Sequence, residues 1–515
     1  MLTTLDYAVI AIYFVAITVF GIKAGGRQSS QKDFFLGGRD LPWWAICFSI
    51  VATETSTLTV IGVPAIAYAG TFTFLQIALG YLVGRIVVSI VFLPKYYDQS
   101  LQTAYAFLGN RFGASTQIIA SITFLITRLL ADGVRLFATA IPVKIILEAA
   151  GFDVSYFAVI CVIGLLTIVY TSIGGLKAVV WMDFVQMIVY IIGAVIAIFV
   201  LLQALPEGWG ELAASEGKFK FLDVELGRSI NEIVTSPYVF ITAVLGGGVF
   251  TMASHGTDQL IVQRLLACKN LKDSKKALIG SGFLIIIQFA LFLILGLLLW
   301  GYYGGANIVE LGLSRTDEVY PKFIVEELPA GISGLILAGI IAAAMSTLSS
   351  SLNALASSTL GDIYVLTTKK SLNDHQQLRI ARLFTLIWGG IFIVFASLFQ
   401  NQQNPVVELG LAIATFTYGG LLGVFVLGLI NKQVKDIGAS IGLVLTIVVM
   451  TLVIFGVKFS ETHGWFFAFD GSSESGMIEN AKAIAWPLYT LLGALLTIVL
   501  SWVVEKSKHF FLRNR

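Results

Sequence analysis

Long apolar blocks parted by short polar segments follow one another from Leu5 to Val504. A helix needs ~20 predominantly apolar residues to cross a bilayer. The pattern predicts about thirteen such helices, at 4–23, 43–69, 74–94, 115–147, 155–174, 177–204, 235–266, 277–303, 331–362, 381–400, 406–431, 436–457 and 486–504. Two of them are interrupted: VATETSTLT (51–59) and LGGGVFTMASHGTDQ (245–259) bring small, polar and charged residues to mid-depth, five helices apart. Small residues permit close helix packing. Matched breaks in two halves of a chain also mark inverted-repeat transporters, whose broken helices offer backbone groups to ion and solute. The pairing favours the transporter reading, since unwound backbone is tolerated in a membrane only where it is buried or lines a cavity. The expected fold is all-α, with two five-helix repeats at 43–204 and 235–431. The helix at 4–23 and those at 436–504 are peripheral, and residues 1–515 form a single membrane unit.

Composition agrees. Residues AVILMFWYC make up 57% of the 515 positions, mean hydropathy is +0.87, and the charged fraction of 12% is about half that of a soluble protein. A soluble enzyme is excluded. The net charge of +2 carries no information about partners, and no basic tract interleaved with aromatics argues for nucleic acid. The arrangement of the charges is informative. Alternate loops hold 22 basic residues on one side and 7 on the other, so the basic side is cytoplasmic, the N-terminus outside and the C-terminus inside. The start MLTTLDYAVIAIYF lacks a basic leader and reads as a retained first helix. Compact loops favour the plasma membrane of a bacterium. Cys47, Cys161 and Cys268 have no metal or disulfide spacing and read as small packing residues. The longest polar segments, 205–233 and 459–485, are expected outside and are too short for an appended domain. A passive channel, a transporter-derived sensor and a membrane enzyme are the rivals. The matched breaks, the lack of an output domain and the lack of any metal or nucleophile constellation count against them in turn.

Ionisable groups inside spans are costly and functional by default. Arg128, Asp132 and Arg135 sit four and three apart and form one local network, either structural or facing solute. Glu54 lies in the first broken helix with no sequence-local partner; Arg85 is a candidate across the bundle. Asp183 either caps a helix start or serves a cation from the cytoplasmic side. His255 lies beside the second break and is expected to face solute. Ser346, Ser349 and Ser350 share a face of the span at 331–362, and their hydroxyls suit sodium or, alternatively, bond back to their own helix.

Four segments, DFFLGGRDLPWW (33–44), TSIGGLKAVVWMDFVQ (171–186), TDQLIVQRLLACKN (257–270) and AAAMSTLSSSLNALASSTLGDIY (342–364), resemble the landmark segments of the sodium/solute symporters, in order and over essentially the whole chain. That likeness implies a leucine-transporter fold, sodium as coupling ion and alternating access. It implies a main sodium site from the Ala52, Thr55 and Ala343 carbonyls with the Ser346 and Thr347 hydroxyls. A second sodium would use Asp183, Ser346, Ser349 and Ser350, although Met182 replaces a frequent threonine. For solute it points to Glu54, Ser56, Thr59, Gln76, Asp132, Arg135, His255, Asp258 and Gln259. TRLLAD and TDQLIVQR look most like the sodium/glucose branch and favour a sugar or polyol. Ser254, Ile285 and Glu54 replace that branch's tyrosine, lysine and asparagine. The alternative is an acidic solute, such as a sialic acid or monocarboxylate; the arginine used by the sialic acid branch falls at Val134, one residue from Arg135. The expected partners are a small-molecule solute and the bilayer, with no obligatory protein partner.

Overall fold

The computed structural model describes residues 2–149, 151–224, 227–369, 372–398, 406–468 and 481–513. Its principal helices are α1 (Thr4–Gly25), α2 (Trp43–Glu54), α3 (Thr57–Ala69), α4 (Leu75–Asp98), α5 (Ala114–Ala149), α6 (Tyr156–Ala204) and α7 (Phe240–Gly256). They continue with α8 (Gln259–Leu266), α9 (Leu271–Tyr302), α10 (Ile332–Ser358), α11 (Asp374–Leu398), α12 (Val406–Ile430), α13 (Asp436–Gly456) and α14 (Tyr489–Arg513). Among the described residues nine helices are long and apolar enough to cross a membrane, or ten when α2 and α3, bent by 68°, are one span. The shorter α7 and the segment 417–430 are apolar as well. Thirteen crossings therefore remain an expectation from sequence.

Burial separates centre from periphery. The most apolar window of the α10 span is 83% buried, whereas that of α1 is 17% buried and turns Ile12 and Val15 outward. The 49 residues of α6 are two helical segments, on either side of Gly175, and each is long enough for the ~30 Å hydrocarbon core, as the separate spans expected at 155–174 and 177–204 require. The helix bends at Gly175, whose φ of +57° suits glycine. A Cβ there would also stand 2.4 Å from the Phe34 carbonyl oxygen. Two of the landmark segments thus meet at this bend.

Several expectations need correction. Glycines 246–248 were grouped with the second break, yet they are helical and form a packing seam. A Cβ at Gly84 would lie 2.3 Å from the Gly248 carbonyl oxygen, and one at Gly247 2.7 Å from that of Ile77. The chain leaves the helix only at Thr257 and Asp258. Helices α9 and α11 begin six and seven residues earlier than predicted, and α10 runs on through a wide turn, Thr359–Tyr364, to Thr368. The segment 459–485 reads in the sequence only as polar and outside the spans. Its described part, with residues just before it, forms a small antiparallel sheet of order β2-β1-β3, with β1 Val457–Ser460, β2 Gly464–Phe467 and β3 Lys482–Ala483. Residues 469–480 of that segment lie outside the described residues. Arg264, one of the 22 basic residues assigned to the cytoplasmic side, is fully buried.

Candidate functional site

A helix that stops inside the bundle leaves its last carbonyls without donors. At the end of α2, Thr55 is extended (φ −84°, ψ +100°), and the Ser56 N–H, which would continue the ladder to Ala52, is turned to the Thr59 hydroxyl at 3.4 Å. The Ala52 carbonyl loses its ladder donor in this way, and the Thr59 N–H, which would reach Thr55, bonds to the Ser56 carbonyl at 2.9 Å instead. The broken helix packs on α10, with the Thr57 hydroxyl donating to the Ile340 carbonyl at 3.0 Å and Thr53 sharing a 3.2 Å hydrogen bond with Ser350. Ala52, Thr55, Ala343, Ser346 and Thr347 are all buried at this seam. Neutral oxygens of this kind suit a monovalent cation. Gln288, absent from the sequence reading, fixes the break by donating to the Thr55 hydroxyl at 2.6 Å.

Beside the seam lies a small pocket lined by Ser56, Thr57, Asp132, Arg135, Thr139 and Thr347 among others, with a volume of about 10 Å³. That is room for about one water molecule. Anything larger fits only if the surrounding helices part. Arg135 Nη1 donates to Asp132 Oδ1 at 2.8 Å, and among the described residues the other guanidinium nitrogens have no protein acceptor. Val134 is buried and does not line the pocket. The network predicted within α5 is present, with Arg128 3.5 Å from Asp132, and it extends further than the sequence indicated. Arg128 pairs with Asp258 at 2.5 Å, Tyr418 donates to the same carboxylate at 2.8 Å, and Ser351 donates to Asp132. Asp258 also accepts from the Leu260 N–H at 2.8 Å, capping α8.

The other solute candidates are engaged elsewhere. Both oxygens of Glu54 accept from Arg85 Nη2 at 2.6 Å, and His255 Nε2 bonds to Glu54 while its Nδ1 meets the Ser254 hydroxyl at 2.9 Å. The Gln76 amide donates to the Thr73 and Tyr238 carbonyls and accepts from the Asp223 N–H, tying α4 to the segment between α6 and α7. Gln259 accepts from the Ala104 N–H at 2.8 Å and donates to Ser357 at 3.3 Å. None of Glu54, Thr59, Gln76, His255, Asp258 and Gln259 lines the pocket.

A second polar centre surrounds Asp183, which is buried well inside α6 and is not a cap. Ser49 donates to it at 2.5 Å, Ser346 at 2.6 Å and Arg264 at 3.2 Å. Arg264 also reaches Ser49 at 2.9 Å, the Leu260 carbonyl at 2.7 Å and Ser350. Ser349 bonds back to the Ser346 carbonyl at 3.0 Å and Thr347 to Ala343 at 3.2 Å, so the hydroxyl face of α10 is partly self-satisfied and partly turned to its neighbours. Ser49 and Thr53 were missed, although their spacing of four on one helix face was a usable signal. Nearby, Gln263 donates to the Phe35 carbonyl at 2.7 Å and to Asn353 at 2.6 Å, so all four landmark segments converge here. Outside the membrane, the Ser29 hydroxyl donating at 2.6 Å holds the Asp33 carboxyl below its usual range.

A sequence profile described as the sodium:solute symporter family matches residues 34–446. The chain belongs to this family. The human sodium/iodide cotransporter is 30% identical over 453 residues, covering 85% of this chain and 68% of its own length. The sodium/sialic acid symporter of Proteus mirabilis is 28% identical over 493 residues, covering 94% and 95%. A solved sodium-coupled sialic acid symporter in an outward-open, substrate-bound state superposes with a TM-score of 0.79 at 24% identity, over 98% of both chains. The fold is therefore of the leucine-transporter type. This symporter is a multi-pass membrane transporter and not an enzyme, it carries a small-molecule solute, and sodium is its coupling ion.

Proposed function

We propose that the protein imports a small acidic solute with sodium, and that Arg135 receives the solute's negative group. One observation carries this reading: a guanidinium whose remaining donors have no acceptor among the described residues lines the pocket at the α2–α3 break, next to Ser56 and Thr347. A carboxylate matches such a fork with two parallel charge-assisted hydrogen bonds. The relatives named above carry iodide and sialic acid by their names, both of them anions. The sugar or polyol favoured by motif likeness gives way to the acidic alternative.

The main sodium is assigned to Ala52, Thr55, Ala343, Ser346 and Thr347. An ion there holds the α2 break to α10 and so orders the adjoining pocket wall; by linkage, sodium and solute raise each other's affinity equally. Each charge moved inward gains about 2.3 kcal/mol per 100 mV of membrane potential. A second sodium at Asp183, Ser346, Ser349 and Ser350 requires the Arg264 guanidinium to withdraw, so one sodium is the minimum per cycle. We place the protein in a bacterial inner membrane with its N-terminus outside and C-terminus in the cytoplasm, as the loop charges indicate, with repeats at 43–204 and 235–431.

The test is thermal stability of the purified protein with sialic acid, lactate, iodide and glucose, each in sodium and in potassium. A ligand of the native state raises apparent stability by mass action. A sodium-dependent shift with an anion and none with glucose is expected. A shift with glucose alone overturns the acidic reading.

A further inference from the structure

At the amino-terminal end of α9 a groove of about 780 Å³ opens on the outer surface of the bundle. Its polar end carries Lys272, Lys275 and Lys276 within little more than one helical turn. Its apolar end is made by Ile279 and Phe283, and Phe283 is 55% exposed. Gly280 brings α9 close to α2: a Cβ there would lie 3.1 Å from Cys47 Sγ and 3.9 Å from the Trp43 ring, and Trp43 forms the facing wall. Among the described residues the lysine charges have no acidic partner, and Lys276 alone faces an aromatic ring. Asp273, the acidic residue among them, is taken up with Asn270 at the helix cap, and Lys276 lies 5.8 Å from the Trp43 ring centroid. Among the described residues no carboxylate pairs with any of the three.

We propose that this groove binds an anionic phospholipid, its phosphate between the three lysines and an acyl chain along Ile279 and Phe283. The dimensions match one leaflet. From Lys272 to Phe283 the helix rises about 16 Å, close to half of the ~30 Å hydrocarbon core, so a headgroup at the lysines places its chain beside Phe283. Lysine stems lie along apolar surface while their ammonium groups reach headgroups, and a tryptophan at this depth sits at the membrane interface. Clustered cations at a membrane boundary select anionic over zwitterionic headgroups. An annular lipid without preference would need neither the groove nor the unpaired cluster.

The full chain would be placed in nanodiscs of equimolar phosphatidylglycerol and phosphatidylcholine, and the lipids retained on release measured by native mass spectrometry. Preferential retention of phosphatidylglycerol is expected, falling about tenfold or more in the triple variant Lys272→Gln/Lys275→Gln/Lys276→Gln. Ile279→Trp, which fills the groove and leaves the charges in place, should reduce retention as well. Equal retention of the two lipids by the unaltered protein, or undiminished phosphatidylglycerol in the triple variant, overturns the proposal. So does a dimer that Ile279→Trp dissociates, because a second copy then covers the groove.

Discussion

Arg264 Nη2 stands 3.2 Å from Asp183 Oδ2 with both side chains buried, joining α8 to the middle of α6. Ser49 of α2 and Ser346 of α10 donate to the same carboxylate. Four helices therefore share one buried ion pair. Loss of either partner strands the other charge in a low-dielectric interior, which costs about 3–5 kcal/mol. Asp183→Asn and Arg264→Gln should each lower the unfolding temperature strongly. The double variant should lose less than the sum of the two, measured as a thermal-shift cycle in detergent. Additive losses would show that the pair is not coupled.

Ser346→Ala should abolish sodium-dependent uptake into proteoliposomes while the protein still purifies as a monodisperse species. Thr347→Ala should weaken sodium dependence, and Thr347→Ser, which keeps the hydroxyl, should restore it. Uptake that keeps its sodium dependence in Ser346→Ala removes that hydroxyl from the ion site.

Arg135→Gln should raise KM for the acidic solute about tenfold or more, the scale of a lost charge-assisted hydrogen bond. Stabilisation by sodium alone should persist. Arg135→Lys keeps the charge without the two-pronged fork and should fall between them. An unchanged KM in Arg135→Gln would place the solute elsewhere.

Two glycines test the packing. A Cβ at Gly296 would meet the Pro64 carbonyl oxygen at 2.0 Å, and one at Gly84 the Gly248 carbonyl oxygen at 2.3 Å. Overpacking of this kind costs about 1–3 kcal/mol, and rigid backbone offers no easy relief. Gly296→Val and Gly84→Val should reduce the folded yield seen by fluorescence-detected size exclusion, whereas Gly390→Ala, with open space around it, should not.

The sequence by itself determined whatever depends on composition over a window or on neighbours along a helix. Apolar runs located most spans, because a bilayer demands about twenty such residues whatever the tertiary packing. Spacings of three and four placed Arg128, Asp132 and Arg135 in one network, since one turn of helix sets that distance. The hydroxyl face of α10 was legible for the same reason. The order of the four landmark segments announced the family.

Only the tertiary structure decided the partners across the bundle. Asp258 meets Arg128 from 130 positions away and Tyr418 from 160, separations at which no periodicity acts. Glycines 246–248 looked like part of a break because a glycine run has the same composition whether it unwinds a helix or lets two helices touch. What distinguishes the cases is the Gly84 backbone lying opposite. Gln76 looked free for solute, yet it holds the loop at Asp223, while for Glu54 the sequence offered solute or Arg85 and the structure supplies the arginine. Polarity in a span signals that a partner exists. Which partner it is follows from where the neighbouring helices lie.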